Sequence, residues 1–169
     1  MKRILWYIPM LLLVHNLEEA LTMPQWIFHH QEMLRTVVPF FKNFTFTTTQ
    51  LYLSLIQLSV IPVIISAFCI RGELTKRSVM LLMILQSIIF INALVPHLIG
   101  TIILQMYNPG TVTAVIFNIP FTIYLFNRLL REGIIGSKDV RKAMIAGVML
   151  YLPAVYLNHL MAHSIAKIL

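Results

Sequence analysis

The chain has 169 residues, of which 59% are apolar and only 11% charged, with a mean hydropathy of +0.83. A soluble domain is nearer ~45–50% apolar and ~25% charged, and one of this size could not cover its surface with so few charges. The same values exclude disorder, coiled coil and collagen. The lone Cys69 excludes a disulfide framework or a thiolate metal cluster. What remains is one all-α integral-membrane domain over residues 1–169.

A membrane-spanning helix needs about 20 mostly apolar residues. Five stretches qualify: Ile4 to Leu21, Thr47 to Ile70, Val79 to Leu104, Val112 to Leu130 and Ala143 to Ile165. Lys2 and Arg3 ahead of the first run could also open a signal peptide, but no small-residue cleavage site follows and the run leads into two carboxylates. It reads as a retained helix.

The connections differ in kind. Met23 to Phe46 is long and carries Trp26, Phe28, Leu34, Val37, Phe40, Phe41, Phe44 and Phe46. It therefore reads as an interfacial segment packed on the outer face of the bundle, with a helix over Gln25 to Val38. Arg71 to Ser78 is short and basic, MYNPGT at Met106 to Thr111 is a tight turn, and Arg128 to Lys142 is a basic connection.

Arg and Lys accumulate on the cytoplasmic side of membrane proteins. With the N-terminus inside, the inner side carries Lys2, Arg3, Arg71, Lys76, Arg77, Arg128, Arg131, Lys138, Arg141 and Lys142, and the outer side only Arg35, Lys42 and Lys167. The expected arrangement is a multi-pass protein of the cell membrane with a cytoplasmic N-terminus and an external C-terminus. The net charge of +7 then marks topology and contact with the lipid bilayer, and not nucleic acid.

Ionisable side chains within a bilayer cost ~2.5–3.5 kcal/mol each on insertion scales and normally face the bundle interior. His15, Glu18 and Glu19 form HNLEE on the first helix and fall in one sector of about 100°. The third helix carries Asn92 and His97 within NALVPH, and the fifth carries the i,i+4 pair His159 and His163. Counted from the basic side, all of these lie past or near the middle of their helices. A common height predicts that His15, Glu18 or Glu19, His97, and His159 or His163 converge on one site. Imidazole and carboxylate are ligands for a divalent metal, Zn²⁺ or Fe²⁺, which would also offset the cost of burying the carboxylates. The bland alternatives are a hydrated Glu pair at the interface, interfacial histidines near the C-terminus and a capping role for His97. Asn92 and Asn118 read as helix–helix hydrogen bonders, and His29, His30 and Glu32 as surface residues.

HNLEE, NALVPH and YNPG, in that order in a small polytopic chain, resemble the bacterial HXXEE-domain family. The resemblance implies an integral-membrane, metal-dependent enzyme with a role in lipid metabolism, and points to His15, Glu18, Glu19, Asn92, His97, Tyr107, Pro109 and Gly110. One departure stands out. The family's middle motif is NAxxH, whereas this chain has NAxxxH, with Pro96 in the extra place. In a regular α-helix residues five apart diverge by about 140°, so Asn92 and His97 would share a site only if the helix is distorted at Pro96.

The leading expectation is a hydrolase acting on a lipid or lipid-like substrate through a metal-activated water, one glutamate ligating and the other serving as general base. A two-metal, di-iron lipid oxygenase is a variant of the same reading. A metal- or proton-coupled transporter is the rival, but it would need polar groups continuing toward the inner side, where the sequence shows almost none. A structural bundle with the polar cluster as interhelical glue is the third. Composition and spacing leave the oligomeric state open.

Overall fold

The structure, a computed structural model, describes residues 1–37 and 47–168. Phe40, Phe41, Lys42, Phe44 and Phe46, and Val38 at the end of the expected interfacial helix, lie outside the described residues. Among the described residues every regular element is helical: α1 (Lys2–Leu5), α2 (Tyr7–Val37), α3 (Thr48–Ile70), α4 (Lys76–Asn92), α5 (Gly100–Leu104), α6 (Thr111–Thr113), α7 (Ile119–Arg131) and α8 (Ser137–Ala166). Two π-helical segments, Ala93–Ile99 and Ala114–Asn118, join α4 to α5 and α6 to α7. Five resulting helices are long and apolar enough to cross a membrane. Phe68, Ile103 and Met149 are each at least 70% exposed, as a lipid-facing surface requires.

The helix starts are set by local chemistry. Thr47 accepts from the Gln50 nitrogen and Gln50 Oε1 from the Thr47 nitrogen, a reciprocal cap that opens α3. Thr75 caps α4 through the Ser78 nitrogen. Helix α8 begins at Ser137, so the expected connection Arg128 to Lys142 shrinks to Glu132–Gly136 and its basic residues sit on helix ends. Pro24, Pro62, Pro96 and Pro153 all lie inside helical segments, which membrane helices tolerate when neighbouring groups satisfy the freed carbonyls.

The segment after Met23 differs from expectation. It is not a separate interfacial helix but the continuation of α2, which runs unbroken for 31 residues. At 1.5 Å per residue that is about 46 Å, well beyond a ~30 Å hydrocarbon core. The last turns of α2 therefore extend past the hydrocarbon core while staying against the bundle: Trp26 Nε1 donates to the Tyr107 carbonyl at 2.7 Å, and Ile27, Phe28 and Gln31 line a cleft with Thr47, Thr48 and Leu51 at the start of α3.

Apolar packing is concentrated at the end that carries the Arg71–Thr75 and Glu132–Gly136 connections. Leu5, Ile8, Leu82, Met83, Leu125, Leu129 and Ala143 are fully buried there. Helices α4 and α8 meet at Gly147, where an added Cβ would collide with Ser87, the small-residue contact that lets membrane helices approach closely. Polar side chains are also buried through the bundle, and of these the sequence had pointed only to Asn118. Gln86 donates to Thr122 Oγ1 at 2.7 Å, and Ser66, Ser87 and Asn118 are at most 1% exposed. All of these are uncharged. The ionisable cluster belongs to the opposite end, beside the Met106–Gly110 turn.

Candidate metal centre

Helix α2 presents His15 and Glu19 one turn apart, and the π-helical segment after α4 presents His97. One donor atom from each of these three residues lies within 4.8 Å of the others. His15 Nε2 is 3.2 Å from His97 Nε2. Glu19 Oε1 is 3.4 Å from His97 Nε2 and 3.9 Å from His15 Nε2. All three residues are buried, with exposures of 0% for His15, 3% for His97 and 6% for Glu19.

Hydrogen bonding fixes which ring nitrogens carry protons. His97 Nδ1 is 2.6 Å from the Pro109 carbonyl, which only accepts, so Nδ1 is the donor and Nε2 keeps its lone pair. His15 Nδ1 is 2.9 Å from Thr113 Oγ1, and that hydroxyl gives its one proton to Glu18 Oε2 at 2.5 Å. His15 Nδ1 is therefore also a donor, and its Nε2 is also a bare acceptor. Two lone pairs and a carboxylate oxygen face one another in a site closed to solvent. Ligands held ~2.0–2.2 Å from a shared ion lie about 3–4 Å apart, the spacing found here. A metal-ligating histidine typically anchors its other nitrogen on a carbonyl or carboxylate, as both do here, His15 through Thr113.

The π-helical segment explains His97. Bonding of the i→i+5 type brings residues five apart nearly above one another, as i→i+4 bonding does for residues four apart. The extra residue of NAxxxH is absorbed in this way, and Asn92 Nδ2 comes within 3.1 Å of His97 Nε2 and 3.4 Å of His15 Nε2. The distortion spans Ala93 to Ile99 and is not a kink confined to Pro96.

Glu18 does not join the three donors. Its Oε1 accepts from Tyr107 Oη at 2.7 Å and the Val112 nitrogen at 3.2 Å; its Oε2 accepts from the Thr113 nitrogen at 2.8 Å as well as from the Thr113 hydroxyl. Those backbone donors are the unpaired N–H groups at the start of the fourth span, so Glu18 caps that span. Burial raises the Tyr107 phenol above its ordinary pKa, which keeps it a donor to Glu18. Gly110 adopts φ +86°, and an added Cβ would lie 2.7 Å from His97 Cε1 and 2.8 Å from His15 Cε1. Pro109 and Gly110 thus give the site a carbonyl and a bare backbone against two imidazoles.

His159 and His163 are not brought into this group. Helix α8 packs chiefly on α4 and α3. The residue it offers the site is Tyr151, whose hydroxyl donates to Asn92 Oδ1 at 3.2 Å. His159 lies eight residues further along, about 12 Å beyond that level, and His163 Nδ1 is 2.6 Å from Gln50 Nε2 at the start of α3. His29 and His30 bond through Nδ1 to the Gln25 and Trp26 carbonyls of their own helix. Sequence reasoning missed Thr113 and Tyr151; Thr113 follows YNPG closely enough to be suspected, while Tyr151 left no signal.

Residues 6–125 match the family described as "Protein of unknown function with HXXEE motif", and the chain belongs to that family. It is also similar to "Uncharacterized protein YrkK" of Bacillus subtilis (strain 168), 24% identical over 139 residues, covering 81% of this chain and 82% of that one. No solved structure matches the chain.

Proposed function

We propose that this HXXEE-family protein is a metal-dependent hydrolase embedded in the membrane, acting on a lipid or lipid-like substrate, with His15, Glu19 and His97 holding one divalent ion. The observation that supports this reading is the meeting of two imidazole lone pairs and a carboxylate oxygen at 3.2–3.9 Å. Two nitrogens and one oxygen suit Zn²⁺ or Fe²⁺, and three donors fit one ion better than the pair a di-iron oxygenase needs. When bound, such an ion lowers the pKa of a coordinated water toward ~7 and polarises a carbonyl or phosphoryl oxygen. Glu18 is committed to four hydrogen bonds, so the two roles expected of separate glutamates would fall on Glu19 alone, which ligates through Oε1 and leaves Oε2 to accept a proton. His15 and Glu19 lie within the first of the helices long and apolar enough to cross a membrane, which supports a substrate dissolved in lipid.

Burial of all three donors favours a second reading, in which the ion ties α2 to the third and fourth spans without turnover. The transporter reading is weaker, because the buried polar side chains named toward the other end of the bundle are uncharged.

Metal analysis of detergent-purified protein tests the centre. About one zinc or iron per chain is expected, lost in His15→Ala, Glu19→Gln and His97→Ala while His159→Ala and His163→Ala retain it. A metal-free wild type that cannot be reloaded would sink the reading. Hydrolysis of labelled lipids in vesicles by the metal-loaded wild type, absent from the metal-free wild type and restored on reloading, separates enzyme from structural ion. Reporter fusions at the termini test the orientation read from the basic residues: the N-terminal fusion should report the cytoplasm and the C-terminal one the exterior.

A further inference from the structure

We infer that Asn92 is the fourth ligand of this centre and that its carboxamide turns over when the ion binds, with Tyr151 as the hinge partner that accommodates both orientations. The inference rests on the metal reading above and adds to it a ligand and a positioning residue.

The geometry is as follows. The Asn92 carboxamide meets the two imidazoles on one side, with Nδ2 at 3.1 and 3.4 Å from their Nε2 atoms, and Tyr151 Oη on the other, 3.2 Å from Oδ1. An amide nitrogen and an amide oxygen exchange places by rotation about one side-chain bond, so the orientation follows the surrounding hydrogen bonds. Without an ion, both Nε2 atoms are bare acceptors, because both Nδ1 atoms are donors. The NH₂ group must then face them, and its two hydrogens serve the two lone pairs. It occupies the place of the cation and relieves the repulsion between the imidazoles.

A cation among the same atoms reverses this demand. An NH₂ group has no lone pair to offer, whereas the amide oxygen is a good ligand for a hard or borderline ion. Rotation brings Oδ1 inward and Nδ2 outward to Tyr151. A phenol can donate to Oδ1 in one state and accept from Nδ2 in the other, so neither orientation leaves Asn92 unpartnered. Leucine could serve neither state. Aspartate could serve only the metal-bound one, since a carboxylate facing two lone pairs and Glu19 is unfavourable without an ion. The completed set is two imidazoles, one carboxylate and one carboxamide. A reacting water would then enter as a fifth ligand or by displacing the amide.

Cobalt(II) is a suitable probe, because the position and intensity of its visible bands follow coordination number and ligand type. Wild type, Asn92→Leu, Asn92→Asp and Tyr151→Phe are loaded with Co²⁺ alone in detergent, and Zn²⁺ affinity is measured by competition. Asn92→Leu is expected to change the cobalt bands, and Asn92→Asp to keep a four-ligand spectrum. Tyr151→Phe is expected to keep the bands but to weaken Zn²⁺ binding about tenfold, the lower range for a residue that orients a ligand. An amide whose oxygen lies on a cation donates a stronger, charge-assisted hydrogen bond than the metal-free amide accepts, so the loss falls mainly on the metal-bound state. Wild-type bands in Asn92→Leu would overturn the inference while leaving the three-ligand centre intact. Should Asn92→Leu fail to fold, Tyr151→Phe decides: unchanged Zn²⁺ affinity overturns the hinge and with it the turnover of Asn92. A wild type that takes up no Co²⁺ or Zn²⁺ overturns the metal reading itself, and this inference with it.

Discussion

Glu18 Oε2 lies 2.8 Å from the backbone nitrogen of Thr113 and 2.5 Å from its hydroxyl, so one carboxylate oxygen holds both ends of the residue on which His15 Nδ1 rests. The first span is thereby fastened to the fourth, and the His15 tautomer is set through a neighbour. Two consecutive glutamates consequently do different work: Glu19 faces the donor group, and Glu18 positions the partner of His15.

Glu18→Gln should therefore weaken metal binding without removing a ligand. The glutamine turns an NH₂ group toward either Thr113 or the Tyr107 and Val112 donors, and the donors it faces lose their acceptor. Unpaired donors of this kind cost about 1–3 kcal/mol. Metal titration should show affinity reduced by at least tenfold with stoichiometry kept, and thermal unfolding in detergent should show a lower midpoint. Complete loss of stoichiometry with an unchanged midpoint would instead make Glu18 a ligand.

Gly110 and Gly133 form a matched pair for a second prediction. Both have positive φ, +86° and +67°, so alanine at either carries a backbone cost of about 1–2 kcal/mol. A Cβ at Gly133 meets nothing within 4 Å, whereas one at Gly110 meets His15 and His97 below 3 Å. Gly133→Ala should lower stability modestly and leave metal content alone. Gly110→Ala should lower stability further and lose the metal, because the imidazoles must move apart. Equal effects of the two substitutions on metal content would show that the turn does not shape the site.

Much of this architecture was legible in the sequence. Hydropathy alone marks the five spans, and the 3.6-residue period places His15 and Glu19 on one face of α2. The rest was hidden for identifiable reasons. The Pro109 carbonyl is backbone, so no side chain announced it. The π-helical bonding after Asn92 carries no periodic signature, so common height put His97 at the site while the spacing allowed it beside Asn92 only through a distortion at Pro96. The His159/His163 pair was matched to the site by counting along its helix, but α8 runs for 30 residues, about 45 Å. Its last turns pass beyond the level where Tyr151 meets Asn92. Extra length of the same kind made the end of α2 read as a separate interfacial helix.

His163 and Gln50 give a third prediction. Gln50 is 7% exposed, caps α3 through its Oε1 and meets His163 Nδ1 through its Nε2. The contact joins α3 to α8 at the end of the bundle. His163→Ala should lower the unfolding midpoint by an amount corresponding to one lost hydrogen bond, about 1 kcal/mol, and Gln50→Ala by more, since it also loses the cap. Both should retain full metal content. Metal loss in His163→Ala without loss of stability would restore that histidine to the centre.

The π-helical segment makes the sharpest demand on the chain. If i→i+5 bonding absorbs one surplus residue between Asn92 and His97, removing a residue should return the segment to a regular α-helix without moving either side chain far. Deleting Pro96 is the cleanest choice, because it leaves Asn92-Ala93-Leu94-Val95-His97. The two polar residues then stand four apart on one face, and a residue lacking a backbone N–H is removed from the helix. The hydrogen bond from Asn108 Nδ2 to the Pro96 carbonyl would pass to the carbonyl of Val95. The deletion variant should bind metal with wild-type stoichiometry and unfold within a few degrees of the wild type. Inserting one alanine after Val95 should do the opposite, turning His97 about 100° further from Asn92 in any helix that keeps its bonding and abolishing metal binding. Loss of metal in the deletion variant, with helical content and dispersity unchanged, would mean that the distortion itself shapes the site beyond placing His97.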